Sequence, residues 1–192
     1  MVVADPATSS LRRPRIFALH KPRKVVVSRV REGGATTVFE LLPEGYREWF
    51  AVGRLDKDSE GLLLFSDDPR LAQRLMDPGR VSKNYLVTVA GFPRERDLET
   101  LRRGGVAIHG RATLPAEVTR LGKAPRGGTR VQVVLHEGRN REIRRLFAAI
   151  GFKVRRLIRV AVGQLELADL PEGEGRELTP EEVAALRTLV GY

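Results

Sequence analysis

The stretch VGRLDKDSEGLLLFSDD, residues 52–68, places one carboxylate, Asp56, between Arg54 and Lys57 and just before the apolar run Leu62–Phe65. Such an acid could bind calcium, cap a turn, or catalyse. A calcium loop asks for oxygen ligands at positions 1, 3, 5 and 12, Gly at 6, and a ligand or bound water at 9. Counting from Asp56, the residues Asp58, Glu60, Gly61 and Asp67 comply, but position 9 is Leu64. A cation loop exposes its ligands, whereas Leu62–Phe65 reads as a buried strand without the flanking helices of such a site. The turn reading rests on the preference of Asp, Ser and Gly for turns, with Asp56 paired to Arg54 or Lys57 at the surface. The catalytic reading rests on position. Asp56 follows Phe50–Gly53 at the mouth of a strand–loop–strand unit, and loops carried on strands are where catalytic groups concentrate. Flanking cations suit a charged nucleophile.

The elements that must position this acid are mostly strands. Runs at 15–20, 24–28, 61–66, 84–90, 106–109, 112–121, 129–137 and 162–167 are short and rich in β-branched or aromatic residues. Four helices are expected. Asp68-Pro69 offers a cap followed by Pro at the first helical position. Residues 93–105 end in a Gly pair suited to a C-cap. Asn140 can cap a helix with Ile143, Leu146, Phe147 and Ile150 on one face, closed by Gly151. Thr179-Pro180-Glu181-Glu182 has the capping-box pattern. Helices and strands do not alternate regularly, which predicts an α+β fold on a mostly antiparallel mixed sheet with flanking helices rather than a doubly wound parallel sheet. Residues 122–130 read as a flexible loop or a hinge between two lobes.

The 192 residues suffice for one domain or two small lobes sharing a core. No apolar run approaches a membrane span. Residues 1–14 lack the apolar core of a signal peptide and read as a disordered tail. The sequence contains no cysteine, which removes disulfides and thiolate metal sites and fits a reducing cytoplasm. Lys and Arg number 34 against 24 Asp and Glu, a formal +10. That excess points to a polyanion such as nucleic acid. It is also clustered: between Arg139 and Arg159 lie eight basic residues and one acid, Glu142.

Together these residues resemble a known family. GRLDKDSEGLLLFSDD is similar to the signature of the ribosomal pseudouridine synthases of the RsuA/RluB/RluE/RluF type. HKP at 20–22, KNYLV at 83–87 and EGRNREIRRLFAAIGFKVRRLIRVAVGQLEL at 137–167 match further family segments in order. The resemblance covers residues 15 to about 180. DSEGLL, TLPAEV at 113–118, and the absence of an S4-like RNA-binding domain before the catalytic part point to one branch of the family, the E-type synthases of large ribosomal RNA. There are departures: Ser59 for a common Thr, Glu142 for a common Gln, His20 for a common Asn, and FSDD for TNDG.

The resemblance implies a catalytic fold of two lobes around a central cleft, filling residues 15–192 as one domain. It implies isomerisation of uridine to pseudouridine in ribosomal RNA, most plausibly of the large subunit, with no metal or cofactor. Asp56 is the implied essential carboxylate, attacking C1′ or removing a C2′ proton. Tyr85 would stack on the flipped base, where without the resemblance it reads as a core aromatic. Arg144 would be the ion-pair partner of Asp56, against the plain alternative of a solvated helix face. Leu157 would pack near the target base or simply join the core, and Arg54 would support the site. Lys21, Lys83, Arg139, Arg141, Arg145, Arg155 and Arg156 would hold RNA phosphates. A monomer acting in the cytoplasm on ribosomal RNA or an assembly intermediate is expected, with a non-catalytic RNA-binding or assembly protein, or a synthase for a small-subunit site, as the rival readings.

Overall fold

The computed structural model describes residues 13–192, so most of the expected tail lies outside the described residues. The elements run β1 (Ile16–Lys21), α1 (Val38–Leu41), β2 (Phe50–Val52), β3 (Glu60–Ser66), α2 (Pro69–Met76), β4 (Lys83–Val89), α3 (Glu95–Arg103), β5 (Ala107–Ile108), β6 (Arg111–Ala112), β7 (Glu117–Lys123), β8 (Thr129–Leu135), α4 (Glu142–Ala149), β9 (Val154–Val162), β10 (Leu165–Glu166), β11 (Gly175–Glu177) and α5 (Pro180–Val190).

Nine strands form one mixed sheet in the order β11-β1-β3-β9-β4-β8-β7, with β2 on β3 and β10 on β9. Every pairing in it is antiparallel except that of β3 with β9. This is the α+β architecture expected. The two lobes are the two halves of the sheet, β11-β1-β3 and β9-β4-β8-β7, joined at that one parallel seam.

Alternation along the strands explains the core. Phe17, Leu19, Leu63 and Phe65 face one side and meet Val87, Val131, Val133 and Phe147. Ile16, Ala18, Leu62 and Leu64 face the other and pack on Leu71, Leu75, Leu186 and Val190 of α2 and α5. Since successive residues alternate faces, a strand covered on both sides must be apolar throughout. That is why Leu62–Phe65 is unbroken, and all of β3 is buried.

The caps of α2 and α5 form as expected. Asp68 Oδ1 accepts from the N–H groups of Arg70 and Leu71 at 2.8 and 3.2 Å. Thr179 and Glu182 exchange the two bonds of a capping box. Several expectations fail for local reasons. Residues 24–28 are not a strand: Pro22 cannot donate, Lys24 turns the chain at φ 68°, and only Val26 bridges to Thr37. Residues 112–121 split at Pro115 into β6 and β7. The run at 106–109 shrinks to β5, which turns into β6 through His109 and Gly110, both at positive φ as a tight hairpin needs. Residues 122–130 are the β7–β8 hairpin, not a hinge. The α4 cap falls on Arg141, held in the left-handed region at φ 52°, instead of Asn140.

Candidate active site

Over the β3–β9 seam lies a cleft of about 960 Å³. Residues 52–56, the start of β4, the second half of β9 and the segment 135–143 line it. The seam is narrow. Only two residue pairs, Glu60 with Ile158 and Gly61 with Arg159, join β3 to β9.

Asp56 lines this cleft from the loop before β3, with its side chain 25% exposed. Its Oδ2 faces two guanidinium groups, Arg141 Nη1 at 3.7 Å and Arg144 Nε at 3.9 Å. Arg144 is the more buried of the two, 14% exposed against 45%. It also donates through Nη2 to Asp58 O at 3.0 Å and Ser59 Oγ at 3.4 Å, and through Nη1 to Val154 O at 3.4 Å. Burial and the charge of Arg141 pull the Arg144 guanidinium below its ordinary value, and Asp56 opposes them. Arg141 occupies its unfavourable backbone region next to the acid, a position where strain collects at functional sites.

The loop itself is braced from below. Ser59 N–H closes a turn on Asp56 O at 2.9 Å, and Lys24 N–H donates to Lys57 O at 2.7 Å. Lys21 is 0% exposed, and its ammonium donates to Ser59 O at 2.8 Å and Pro22 O at 2.9 Å. This corrects the expectation that Lys21 holds RNA phosphates: its charge is sealed inside and fastens the loop that carries Asp56. Burial pushes this ammonium down to about 8, against the pull of Asp56 and Glu60.

Tyr85 and Leu157 line the same cleft, so the structure brings together Asp56, Tyr85, Arg144, Arg141 and Leu157. Lys83 lines it as well, its amine lowered by burial and by the charge of Arg159. The other cations divide. Arg54 is exposed at the cleft wall. Arg155 is exposed on β9, at a register shift of that strand against β4. Arg145 meets His109 and donates to Asn140 Oδ1 at 3.2 Å. Arg156 is ion-paired with the buried Glu60. Arg139 is occupied on all three nitrogens, by Glu137 Oε2 at 2.7 Å, Arg111 O at 3.0 Å and Ala112 O at 2.7 Å. It clamps the β5–β6 hairpin to the cleft rim. The acids of the supposed calcium loop are dispersed in the same way, Glu60 onto Arg156 and Asp67 onto the Arg15 N–H at 2.7 Å.

The model for RNA pseudouridylate synthases matches residues 15–149. The chain belongs to that family. It is 37% identical over 181 residues to the ribosomal large subunit pseudouridine synthase B of Bacillus subtilis, covering 93% of this chain and 74% of the relative. The protein of the same name from Salmonella typhimurium is 42% identical over 180 residues, covering 92% of this chain and 61% of the relative. A crystal structure of a pseudouridylate synthase superposes with a TM-score of 0.80 at 30% identity, covering 92% of this chain and 75% of that one. The chain spans half to three-quarters of the length of its curated relatives. These relatives carry the B name, so they support the synthase family and not the E-type branch within it.

Sequence reasoning missed three groups in the cleft. Glu137 and Glu142 are both buried and both bonded to Arg139, through its Nε and its backbone N–H respectively. Arg159 is buried on β9 beside Tyr85. The departure at Glu142 is the one visible signal. Arg159 emerges only from the strand register, since Leu157 and Arg159 share a face.

Proposed function

We propose that this synthase isomerises a specific uridine in ribosomal RNA of the large subunit, with Asp56 as its essential carboxylate and without a cofactor. One observation carries the reading: Asp56 is held between Arg141 and Arg144 in a cleft whose wall also bears Tyr85 and Leu157. Phosphate binding alone does not call for a carboxylate there. The target uridine leaves its stack, at a cost of about a few kcal/mol, and enters the cleft. Tyr85 stacks on the base, and Leu157 packs beside it. Asp56 then attacks C1′ or takes the C2′ proton as the C1′–N1 bond breaks; the base turns, C5 bonds to C1′ as the Asp56 ester is released or the C2′ proton is returned, C5 loses its proton and N1 gains one. The exchange is redox-neutral and consumes no co-reactant. Arg54 at the cleft wall meets phosphates, as do Arg145 and Arg155 beyond it. The enzyme works as a monomer in the cytoplasm, on free ribosomal RNA or an assembly particle.

The test is Asp56→Asn. Pseudouridine formation on ribosomal RNA by the purified variant should fall below detection while the fold, followed by circular dichroism, is kept. Wild-type turnover would end the assignment. Mapping pseudouridines in ribosomal RNA from a deletion strain identifies the target and separates large- from small-subunit sites.

A further inference from the structure

We propose that Arg159 donates to a carbonyl oxygen of the target uracil and stabilises the negative charge the base carries when its bond to C1′ breaks. The inference rests on the reading of the cleft as a uridine-isomerising site, and it assigns the cleft a second charged group beside Asp56.

The register sets the geometry. Arg159 of β9 stands directly opposite Tyr85 of β4, so the two side chains rise from the same face of the sheet. Leu157 and Lys83, two residues along from each, share that face. All four line the cleft. Arg159 is 3% exposed. Its Nε donates to Leu62 O at 2.7 Å, which fixes the guanidinium plane. Its Nη2 is fully buried with no hydrogen-bond partner, and no carboxylate pairs with it among the described residues. Buried donors are seldom left unmade, and an unsatisfied one costs about 1–3 kcal/mol, more when charged. Asp56 faces Arg141 and Arg144 instead. The charges that feel it are Lys83 and Lys21, both cations. The place therefore suits an acceptor that is neutral on entry and becomes negative.

A uracil ring stacked on Tyr85 meets that description. A phosphate does not, because it would have to shed its hydration to reach a side chain this deep, while exposed arginines wait at the rim. When the C1′–N1 bond breaks, its electron pair passes to the ring and spreads over the two carbonyl oxygens. The sugar is compensated by Asp56, through attack on C1′ or removal of the C2′ proton. Arg159 transfers no proton; it strengthens a hydrogen bond as the charge develops, which is what a preorganised donor contributes.

The experiment combines two variants with modified substrate. Single-turnover rates at saturating RNA are measured for wild type, Arg159→Gln and Arg159→Lys, on RNA carrying uridine, 2-thiouridine or 4-thiouridine at the target. Arg159→Gln should slow the chemical step roughly 100-fold, with RNA affinity nearly unchanged and partial recovery in Arg159→Lys. In wild type, one of the two sulfur substitutions should slow the step about tenfold, as expected for weakening a charge-assisted bond; in Arg159→Gln that penalty should vanish. A purely structural role would leave the sulfur effect intact. A wild-type rate in Arg159→Gln, or an undiminished sulfur penalty, overturns the proposal. If the variants do not fold, wild type alone decides, since equal rates on all three RNAs overturn it too. Absence of any pseudouridine formation by wild type overturns the functional reading beneath it, and is recognised because it precedes any comparison of variants.

Discussion

Gly61→Ala should damage this protein far more than alanine at a glycine of positive φ that has open space around it. Gly61 adopts φ 111°, a region L side chains rarely enter. A Cβ placed there would lie 2.3 Å from Arg159 O and 2.6 Å from Arg159 N. Both are backbone atoms of the neighbouring strand and cannot rotate away. Backbone strain of this kind costs about 1–3 kcal/mol. The overlap also forces β9 away from β3 and breaks one of the two pairs that join them. The expected loss is about 3–5 kcal/mol, a large part of a typical domain stability of roughly 5–15 kcal/mol. Gly151→Ala is the control: it shares the positive φ, at 83°, but has nothing within 4 Å of the added carbon. It should cost only about 1–2 kcal/mol. Urea unfolding followed by circular dichroism compares the two, and pseudouridine formation shows whether any folded Gly61→Ala retains Asp56 in place. Stabilities of the two variants within about 1 kcal/mol of each other would refute the argument, because strain alone would then account for both.

Two further predictions use buried titrating groups. Glu142 is raised to about 7 by burial first and by its bond to Glu137, against the Arg139 N–H; Glu137 in turn is held low despite its burial by bonds with Glu142, Leu114 N–H and Arg139. A carboxyl raised on folding contributes stability that is present below its ordinary value of 4.5 and is lost as pH rises through 7. Glu142→Gln should therefore raise the urea midpoint at pH 8 relative to wild type and change it little at pH 4; an equal shift at both would refute a raised Glu142 carboxyl. Lys21 is lowered from 10.5 to about 8, so the unfolded chain binds more protons between those values and this group adds stability as pH rises through the window. The stability difference between wild type and Lys21→Met should grow from pH 8 to pH 10, and a flat difference would show that the ammonium is not buried in solution.

What can be read from the sequence depends on whether the signal is local. The caps at Asp68 and Thr179 are written within four residues, and both helices start where expected. The apolar run Leu62–Phe65 announces a strand buried on both faces. Apolar spacing finds the helix at α4 but not its first residue, because a left-handed Arg141 has no signature in composition. The run Val25–Val27 has strand propensity without a partner strand; burial of Val25 and Val26 comes from loop packing. At the site, the nature of Asp56 and Arg144 follows from the family motifs, whereas the roles of Lys21, Arg139 and Arg156 do not. Each is a cation whose neighbour is set by a contact across many residues, such as Arg156 with Glu60. Composition counts these as charge available to RNA, while the fold uses them internally.

That division changes how the basic surplus should be understood. Arg144 ties α4 to the carbonyl of Val154 at the start of β9 and to Asp58 and Ser59 of the loop that carries Asp56. Lys21 ties the same loop to the end of β1. The seam beneath has only two residue pairs, and these two cations add anchors from both of its sides to the loop that carries Asp56. Backbone carbonyls are acceptors that no side-chain motion can withdraw, which makes such anchors insensitive to RNA arriving at the rim. Arg141 is different: its side chain is 45% exposed and touches Asp56 at 3.7 Å, with no carbonyl anchor among the described residues. Of the two guanidinium groups on the acid, Arg144 is thus the one anchored on main-chain carbonyls, and Arg141 is the more exposed one.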